Sequence, residues 1–329
     1  MKIDQVFSNL IHRFFFERLV QQKEASPNTI KTYRDAVKFF LQFLFEKEKK
    51  EITLKMFCAE NVVDFLNDYE KQKKRSSRSR NSRLATLKAL AKFATYLYPE
   101  CSNEFMRINY IAMKRETQKV ISYLEYDEME YLLKQPNRNS PRGRIHYSIL
   151  LFLYNTGVRV SELINLDIEH LHLTTTKSVH IRGKGGKEHF IPLWKETIIE
   201  LEWLTSGRLG KAPVFLNQQK ERYSRKGISH IVAIYVEKAS DKKKSIKLKN
   251  ISPHSIRHTT AMHLLQSGVD MNAIRLWLGH TSIETTNVYI ETDLEMKRKT
   301  ISSAHFAIPA LAKKKWNAEE DVISFLESL

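Results

Sequence analysis

Apolar residues recur at helical spacing through residues 5–98, and no strand-like alternation interrupts them. A turn at Ser26-Pro27 separates the first two stripes. A later helix is predicted over residues 82–97. The apolar stripes are formed by Ile11, Phe14, Phe15 and Leu19; by Ile30, Tyr33, Val37, Phe40, Leu41 and Leu44; and by Phe57, Val62, Val63, Phe65 and Leu66. The pattern predicts a helical N-terminal unit.

Helical patterns resume beyond residue 120. A helix is predicted within residues 121–133, preceded by Leu124 as an apolar staple. A strongly apolar helix then ends at Gly157, whose position suits a left-handed C-cap. Its buried face is predicted to consist of Ile149, Leu150, Leu153 and Tyr154. Further helices are predicted over residues 161–166, 197–204 and 228–239, with a short apolar segment at 214–216.

One segment alternates in the way that marks paired strands. Val179 and Ile181 precede a glycine-rich turn, and Phe190 and Ile191 follow it. Alternating apolar residues on both sides of such a turn are typical of a β-hairpin. The predicted fold class is therefore mainly α with a small antiparallel β-hairpin or sheet.

Residues 251–290 hold the densest set of capping and chemical signals. Ser252 is a predicted N-cap with Pro253 at the first helical position, so a helix is expected to begin at His254. Residues three and four apart share a helix face. The spacing therefore predicts that His254, Arg257 and His258 lie side by side.

A second helix is predicted from the N-cap Asp270 to Gly279, which again suits a left-handed C-cap. His280 then lies at a tight corner. A third, short helix is expected to carry Tyr289. The segment thus adds an imidazole and a phenol to the first helix's two imidazoles and guanidinium.

These groups suit an anionic substrate. Arginine offers a rigid fork for phosphate oxygens, and a helix N-terminus adds backbone donors, so the chemistry favours a phosphate ester. The motif H-x-x-R-H at residues 254–258, then L-G-H at residues 278–280, then Tyr289 nine residues later, resembles the C-terminal signature of tyrosine site-specific recombinases. That group contains the phage integrases and the Xer proteins.

The resemblance implies a catalytic set of Arg159, Lys184, His254, Arg257, His280 and Tyr289. Tyr289 would attack the phosphorus and form a 3′-phosphotyrosyl bond, and Lys184 would protonate the leaving 5′ hydroxyl. Arg159, Arg257 and His280 would stabilise the developing charge, while His254 would accept the tyrosine proton or share in that stabilisation. Glu162 is spaced to orient Arg159 or a nearby amide, although an exposed capping carboxylate is an equal alternative.

The net charge of +17 and the pI near 9.6 favour a polyanionic partner, because neutralised phosphates release counterions. Double-stranded DNA is the expected partner. Basic runs lie at residues 71–83, where serines interleave and acids are missing, and at residues 242–249. A solvated charge run is the alternative for both, and a phosphate-facing strand is a second interpretation of the later run. The predicted DNA contacts are Lys71, Lys73, Lys74, Arg75, Arg78, Arg80, Arg83, Lys187 and Lys247.

A length of 329 residues accommodates two domains. We expect a helical, SAM-like core-binding domain over residues 1–115, an α+β catalytic domain over residues 116–306, and a tail helix over residues 307–329. The resemblance implies a two-domain clamp on duplex DNA and a homo-tetramer on synapsed sites, with a partner recombinase or accessory protein as an open alternative. The tail's apolar stripe either folds back or passes to a neighbouring protomer, and exchange between protomers is the hypothesis.

Other classes are less well matched. No apolar run reaches membrane-spanning length and the start lacks a signal-peptide core, so a cytoplasmic location on a prokaryotic nucleoid is expected. Cys58 and Cys101 are too few for a disulfide framework. A zinc nuclease using His254, His258 and His280 would lack the H-E-x-x-H glutamate, so neither a metal nor another cofactor is expected.

The biological role stays open at this stage. Integration, excision or transposition of a mobile element is the expected role, and Xer-type chromosome-dimer resolution is the alternative. A type IB topoisomerase would share the phosphate chemistry without needing a synaptic partner. A non-enzymatic DNA-binding regulator would need no nucleophile, so the complete residue set argues against it.

Overall fold

The computed structural model describes residues 2–73, 76–115, 121–183, 186 and 188–279, without the side chains of residues 72 and 73. The chain divides into two compact units, Met1–Lys119 and Val120–Leu329. The predicted domain boundary near residue 115 adjoins residues outside the described ranges, and its position stays a prediction. Within the described residues, no helix combines the length and apolarity that a membrane crossing requires.

The first unit is built from helices. They are α1 (Gln5–Arg13), α2 (Pro27–Glu48), α3 (Ala59–Lys73), α4 (Ser77–Leu97) and α5 (Ser102–Tyr110), with a π-helix over Phe14–Gln22 directly after α1. Short 3-10 turns lie at Leu54–Met56 and Pro99–Cys101. The predicted turn at Ser26-Pro27 is confirmed, because α2 begins there and the Ser26 hydroxyl accepts the N–H of Thr29. The helix predicted from residue 82 begins earlier, because the Ser76 side chain accepts the N–H of Ser79.

Aromatic rings fill the core of this unit. Phe7, Phe40, Phe57, Phe65 and Phe105 are each at most 2% exposed. The ring centroid of Phe40 lies 5.8 Å from that of Phe57 and 5.5 Å from that of Phe65, while Phe57 lies 5.9 Å from Phe105. Each buried ring removes a large apolar area from water. The Phe40 ring packs edge-on against Phe57 and Phe65, and Phe7 of α1 stacks on Phe57 at 5.8 Å. These contacts hold α1, α2, α3 and α5 together.

The second unit combines helices with one small sheet. Its helices are α6 (Tyr126–Leu133), α7 (Pro141–Thr156), α8 (Val160–Ile164), α9 (Lys195–Thr205), α10 (Arg225–Lys242), α11 (Lys244–Lys247), α12 (Pro253–Gln266) and α13 (Met271–Leu278). A 3-10 turn at Ile168–His170 leads into the strands β1 (Leu171–His172), β2 (Ser178–Arg182) and β3 (Glu188–Pro192). The prediction of a mainly helical chain with a small antiparallel sheet is confirmed.

The sheet is antiparallel in the order β1-β2-β3. Val179 pairs with Ile191, and both are buried against the helices, as is Ile181. Phe190 on the opposite face is 62% exposed and stacks on His180 at a ring-centroid distance of 4.7 Å. The predicted hairpin is therefore confirmed, with its apolar face turned towards the core.

Helix α7 crosses the middle of this unit and packs against α12. Ile149 and Leu150 on α7 and Ile256 on α12 are fully buried. The hydroxyl of Thr260 donates to the carbonyl of Tyr154 at 2.7 Å, which joins the two helices through a polar contact inside an apolar interface. The C-terminal end of α7 is therefore held beside the N-terminal half of α12.

The predicted caps of these helices are confirmed. Ser252 and Asp270 accept backbone N–H groups at the starts of α12 and α13. Gly157 and Gly279 end α7 and α13 with φ angles of 62° and 60°, in the left-handed region that favours glycine. A Cβ added to Gly157 would also lie 2.7 Å from Cδ2 of Leu278. This glycine is thus required both by its φ angle and by the close approach of α13.

The basic run at residues 242–249 is not a strand. It spans the end of α10 and the short helix α11. Lys243 pairs with Asp127 and Lys249 with Glu128 at 2.5 Å, so both side chains are held by the acidic first turn of α6. The interpretation as a phosphate-facing strand is therefore wrong. Lys247 lies between these pairs and is exposed.

Two buried histidines make the stability of the second unit depend on pH. Burial lowers the pKa of both His146 and His263 to about 4 from the ordinary 6.5. As the pH falls below 6.5, these two histidines would therefore be protonated in the unfolded chain while they stay neutral in the folded chain. Stability is accordingly greatest above that pH and decreases towards pH 4. Between about pH 7 and about pH 5 we expect a loss of roughly 2 kcal/mol per histidine.

Urea unfolding followed by tryptophan fluorescence measures this loss, because all four tryptophans lie in the second unit. His146→Gln should flatten the pH dependence, whereas the control His172→Gln, on a strand of the sheet, should leave it unchanged. Equal pH dependence in wild type and His146→Gln would contradict the prediction.

Candidate active site

Arg257 is a buried guanidinium that joins the ends of two helices. It projects from the first turns of α12 and is 2% exposed. Its Nη1 donates to the carbonyl of Gly157 at 2.7 Å, and its Nη2 donates to the carbonyl of Leu278 at 2.5 Å. The last carbonyls of a helix lack partners within that helix and carry partial negative charge. Arg257 therefore donates hydrogen bonds to the carbonyls at the C-terminal ends of α7 and α13, and these bonds fix both ends relative to α12.

Arg159 is the N-cap residue of α8 and lies two residues beyond Gly157. Its backbone N–H donates to Glu162 Oε2 at 2.7 Å, and its Nη1 donates to Glu162 Oε1 at 2.9 Å. The carboxylate is 5% exposed, whereas the Arg159 side chain is 37% exposed. The prediction that Glu162 orients Arg159 or a backbone amide is confirmed for both groups. One buried acid thus holds a guanidinium that still reaches solvent.

His254 and His258 share a face of α12, as the spacing predicted. Their ring centroids lie 4.3 Å apart with an interplanar angle of 65°. His254 is exposed at the helix N-terminus, and His258 is half-buried one turn later. Burial above all, with the charges of His254 and Arg257, lowers the pKa of His258 to about 4. His258 is therefore neutral at pH 7, and it can lie beside a guanidinium without repulsion.

His189 was not among the residues predicted from the sequence, yet it lies in this region. It projects from β3 opposite Ile181 of β2. A Cβ added to Gly279 would lie 2.7 Å from Cε1 of His189 and 3.2 Å from each ring nitrogen. The charges that act on this imidazole include those of Arg159, Arg257 and Glu162. An alternating strand with one polar residue on its apolar face was the available sequence signal.

Three residues of the predicted catalytic set lie outside the described residues. They are Lys184, His280 and Tyr289, and their roles stay predictions. The described elements nevertheless end beside two of them. Gly279 immediately precedes His280, and β2 ends at Arg182, two residues before Lys184. The described part of the site is therefore formed by Arg159, His254 and Arg257 together with Glu162 and His189.

Comparison with known proteins decides the family. Residues 122–296 match the phage integrase family, and residues 13–96 match the N-terminal SAM-like domain of phage integrases. The chain is 34% identical over 326 residues to the putative integrase/recombinase y4rC of Sinorhizobium fredii, and the alignment covers 97% of each chain. The chain belongs to the phage integrase family. Members of this family are tyrosine recombinases, which cleave and rejoin DNA.

The chain is also similar in sequence to a Xer protein and in structure to a transposon integrase. Tyrosine recombinase XerC of Pelobacter propionicus is 30% identical over 296 residues, covering 89% of this chain and 94% of XerC. The structure of the Tn1549 transposon integrase in complex with transposon right end DNA matches with a TM-score of 0.67 and 16% identity. That match covers 89% of this chain and 98% of the integrase chain. At such identity, the structural likeness establishes the recombinase fold.

The residues of this chain that were predicted to contact DNA differ in their exposure to solvent. Lys71 and Arg78 are exposed in the first unit, as Lys247 is in the second. Arg80 is 5% exposed, and its Nε lies 3.7 Å from a carboxylate oxygen of Glu70. Arg80 is therefore withdrawn from solvent in this structure, and its contact with phosphate stays a prediction. It lies one helical turn before the buried Leu84 on α4, so its side chain points inward.

Arg83 is held against aromatic rings. Its guanidinium carbon lies 5.2 Å from the ring centroid of Phe39 and 5.7 Å from that of Tyr69. Nη1 donates to the carbonyl of Thr32 at 3.3 Å. Such contacts fix the direction of the side chain while leaving it half-buried. The predicted contacts Lys74, Arg75 and Lys187, and the side chain of Lys73, lie outside the described residues.

Because Arg257 donates to two carbonyls, we expect even a substitution that keeps its positive charge to destabilise the protein. Lysine keeps the charge but has no fork to serve two carbonyls, so Arg257→Lys should lower the free energy of unfolding by about 2–3 kcal/mol. Urea unfolding measures the change. Arg275→Lys on α13 is the matched control and should change it little. A loss in Arg257→Lys no larger than in this control would contradict the predicted role.

Proposed function

We propose that this protein is a site-specific DNA recombinase that cuts and rejoins DNA through a 3′-phosphotyrosyl intermediate. The observation that carries the proposal is the arrangement of Arg257, which is fixed between Gly157 and Leu278. Those two residues each lie two positions before a predicted catalytic residue, Arg159 and His280, and a clustered pair of guanidiniums suits a phosphate in transfer. Family membership supports the same chemistry.

In the proposed reaction, the Tyr289 hydroxyl attacks the phosphorus in line. A bond forms between phosphorus and the tyrosine oxygen, the bond to the 5′ oxygen breaks, and Lys184 supplies the proton that the leaving oxygen takes. His254 accepts the tyrosine proton. Arg159, Arg257 and His280 stabilise the charge on the non-bridging oxygens. A 5′ hydroxyl from a partner strand then reverses these steps and releases the tyrosine, without ATP and without a metal ion.

Double-stranded DNA is the proposed partner. The net charge of +17 and the exposed Lys71, Arg78 and Lys247 support it, as does the DNA complex of the Tn1549 integrase. The proposed domains are residues 1–115 for core binding and residues 116–306 for catalysis, with the tail over residues 307–329 exchanged between protomers of a tetramer. We place the enzyme in the cytoplasm, on the nucleoid.

The proposed biological role is integration, excision or transposition of a mobile element. The match to y4rC over 97% of the chain supports this role. Xer-type resolution of chromosome dimers is the alternative, which the match to XerC supports. Sequencing the DNA on both sides of the gene discriminates them, because a mobile element would be bounded by inverted repeats or an attachment site.

Covalent trapping tests the proposed chemistry. On a nicked suicide site, wild-type protein should form a covalent adduct in excess EDTA, and Tyr289→Phe should bind the same DNA without forming one. Denaturing gels measure the adduct, and gel-shift titration measures binding. An adduct with Tyr289→Phe would remove this residue from the mechanism, and loss of wild-type cleavage in EDTA would favour a metal-dependent nuclease. Relaxation of a plasmid without synapsis would favour the topoisomerase reaction.

The hairpin lysine has its own test. If Lys184 protonates the leaving oxygen, Lys184→Ala should be severely slowed on an ordinary substrate and largely rescued by a 5′-bridging phosphorothiolate, whose leaving thiolate needs no proton. Cleavage kinetics on both substrates measure the rescue. Lys187→Ala is the control and should mainly weaken binding and its salt dependence. A Lys184→Ala variant that stays equally slow on the phosphorothiolate would assign the proton to another group.

A further inference from the structure

His189 occupies an unusual position on the sheet. Its pairing partner Ile181 and its neighbour two residues on, Ile191, are both buried on the core face. Glu188 and Phe190, on the other face, are exposed. A half-buried imidazole therefore stands where the strand pattern calls for an apolar side chain. Burying such a polar ring costs free energy unless contacts with its surroundings offset the loss of water.

The surroundings of His189 include the turn that ends α13. A Cβ on Gly279 would lie 2.7 Å from Cε1 of His189 and 3.2 Å from Nδ1 and Nε2, so the imidazole lies against the bare Cα of this glycine. The preceding residue, Leu278, gives its carbonyl to Arg257. His189 thus supports one side of a turn whose other side is tied to the buried guanidinium.

The charges facing His189 come from three neighbouring elements. They are Glu162 on α8 with Arg159 at its N-cap, Arg257 on α12, and His180 on β2. Burial lowers the pKa of His189 most, Glu162 opposes this, and Arg257, Arg159 and His180 lower the pKa further. The ring is therefore neutral at pH 7. A neutral side chain can fill this space beside two guanidiniums, whereas a third cation there would be repelled.

We infer that His189 is a positioning residue for the strand-transfer reaction. Its ring fills the space behind Gly279 and sets the point from which the chain continues into His280. The inference rests on the proposed function, because it assigns His189 a part in placing a residue of the same site. It makes Gly279 and His189 a matched pair, in which the missing Cβ of one accommodates the ring of the other.

A double-mutant cycle tests the pairing. Single-turnover cleavage of a suicide site at saturating DNA and pH 7.5 measures the chemical step, and gel-shift titration measures the Kd. His189→Ala should slow cleavage at least tenfold with the Kd changed less than twofold, since only the turn moves. Gly279→Ala should be slower still, because its new methyl group meets the ring. His189→Ala/Gly279→Ala should be at least tenfold faster than Gly279→Ala, because the methyl group then has room.

The controls separate the possible outcomes. His172→Ala, on β1 of the same sheet, should cleave at the wild-type rate. A wild-type protein that forms no adduct would refute the proposed function, whereas an active wild type with independent effects of the two substitutions would refute the role of His189 alone. If His189→Ala lacks the native unfolding transition, His189→Gln decides. Cleavage within tenfold of wild type supports the inference, and slower cleavage by a natively folded Gln variant overturns it.

Discussion

The buried guanidinium of Arg257 is the constraint on which the second unit depends. A charge removed from water costs several kcal/mol unless hydrogen bonds compensate it. Here the compensation comes from Gly157 and Leu278, the carbonyls at the ends of α7 and α13. Neither helix can shift without leaving Arg257 or its own terminal carbonyl unsatisfied. The position of the guanidinium therefore depends on how α7, α12 and α13 pack, and their packing depends in turn on the guanidinium.

The same hydrogen bonds determine where the neighbouring residues lie. Arg159 follows Gly157 after one intervening residue, and the buried Glu162 then fixes its direction. On the other side, Gly279 follows Leu278 and rests against His189 of β3. Residues far apart in the sequence, on α8, α12 and the sheet, are thereby brought close to the imidazole of His189. In the proposed reaction, such a preorganised arrangement would need little rearrangement as charge develops on the phosphate.

The sequence predicted the parts of this arrangement that local chemistry controls. Ser252, Asp270, Gly157 and Gly279 were predictable because capping depends on a few neighbouring residues. The inward direction of Arg80 and the pairing of Lys249 with Glu128 were not, because they depend on which distant elements pack nearby. His189 was missed for the same reason. Its partner Gly279 is separated from it by α9 to α13, and no spacing rule joins a strand residue to a distant helix end.

The most direct test of the proposed mechanism is a crystal structure of the full chain bound to its nicked target site with orthovanadate. Orthovanadate imitates the five-coordinate phosphorus of the transition state. We expect vanadium to be bonded to the Tyr289 oxygen and to the 5′ oxygen. Its equatorial oxygens should accept from Arg159 and Arg257, while Arg257 still donates to Gly157 and Leu278. Vanadate bound without Tyr289, or an Arg257 side chain withdrawn from these two carbonyls to reach it, would contradict the account.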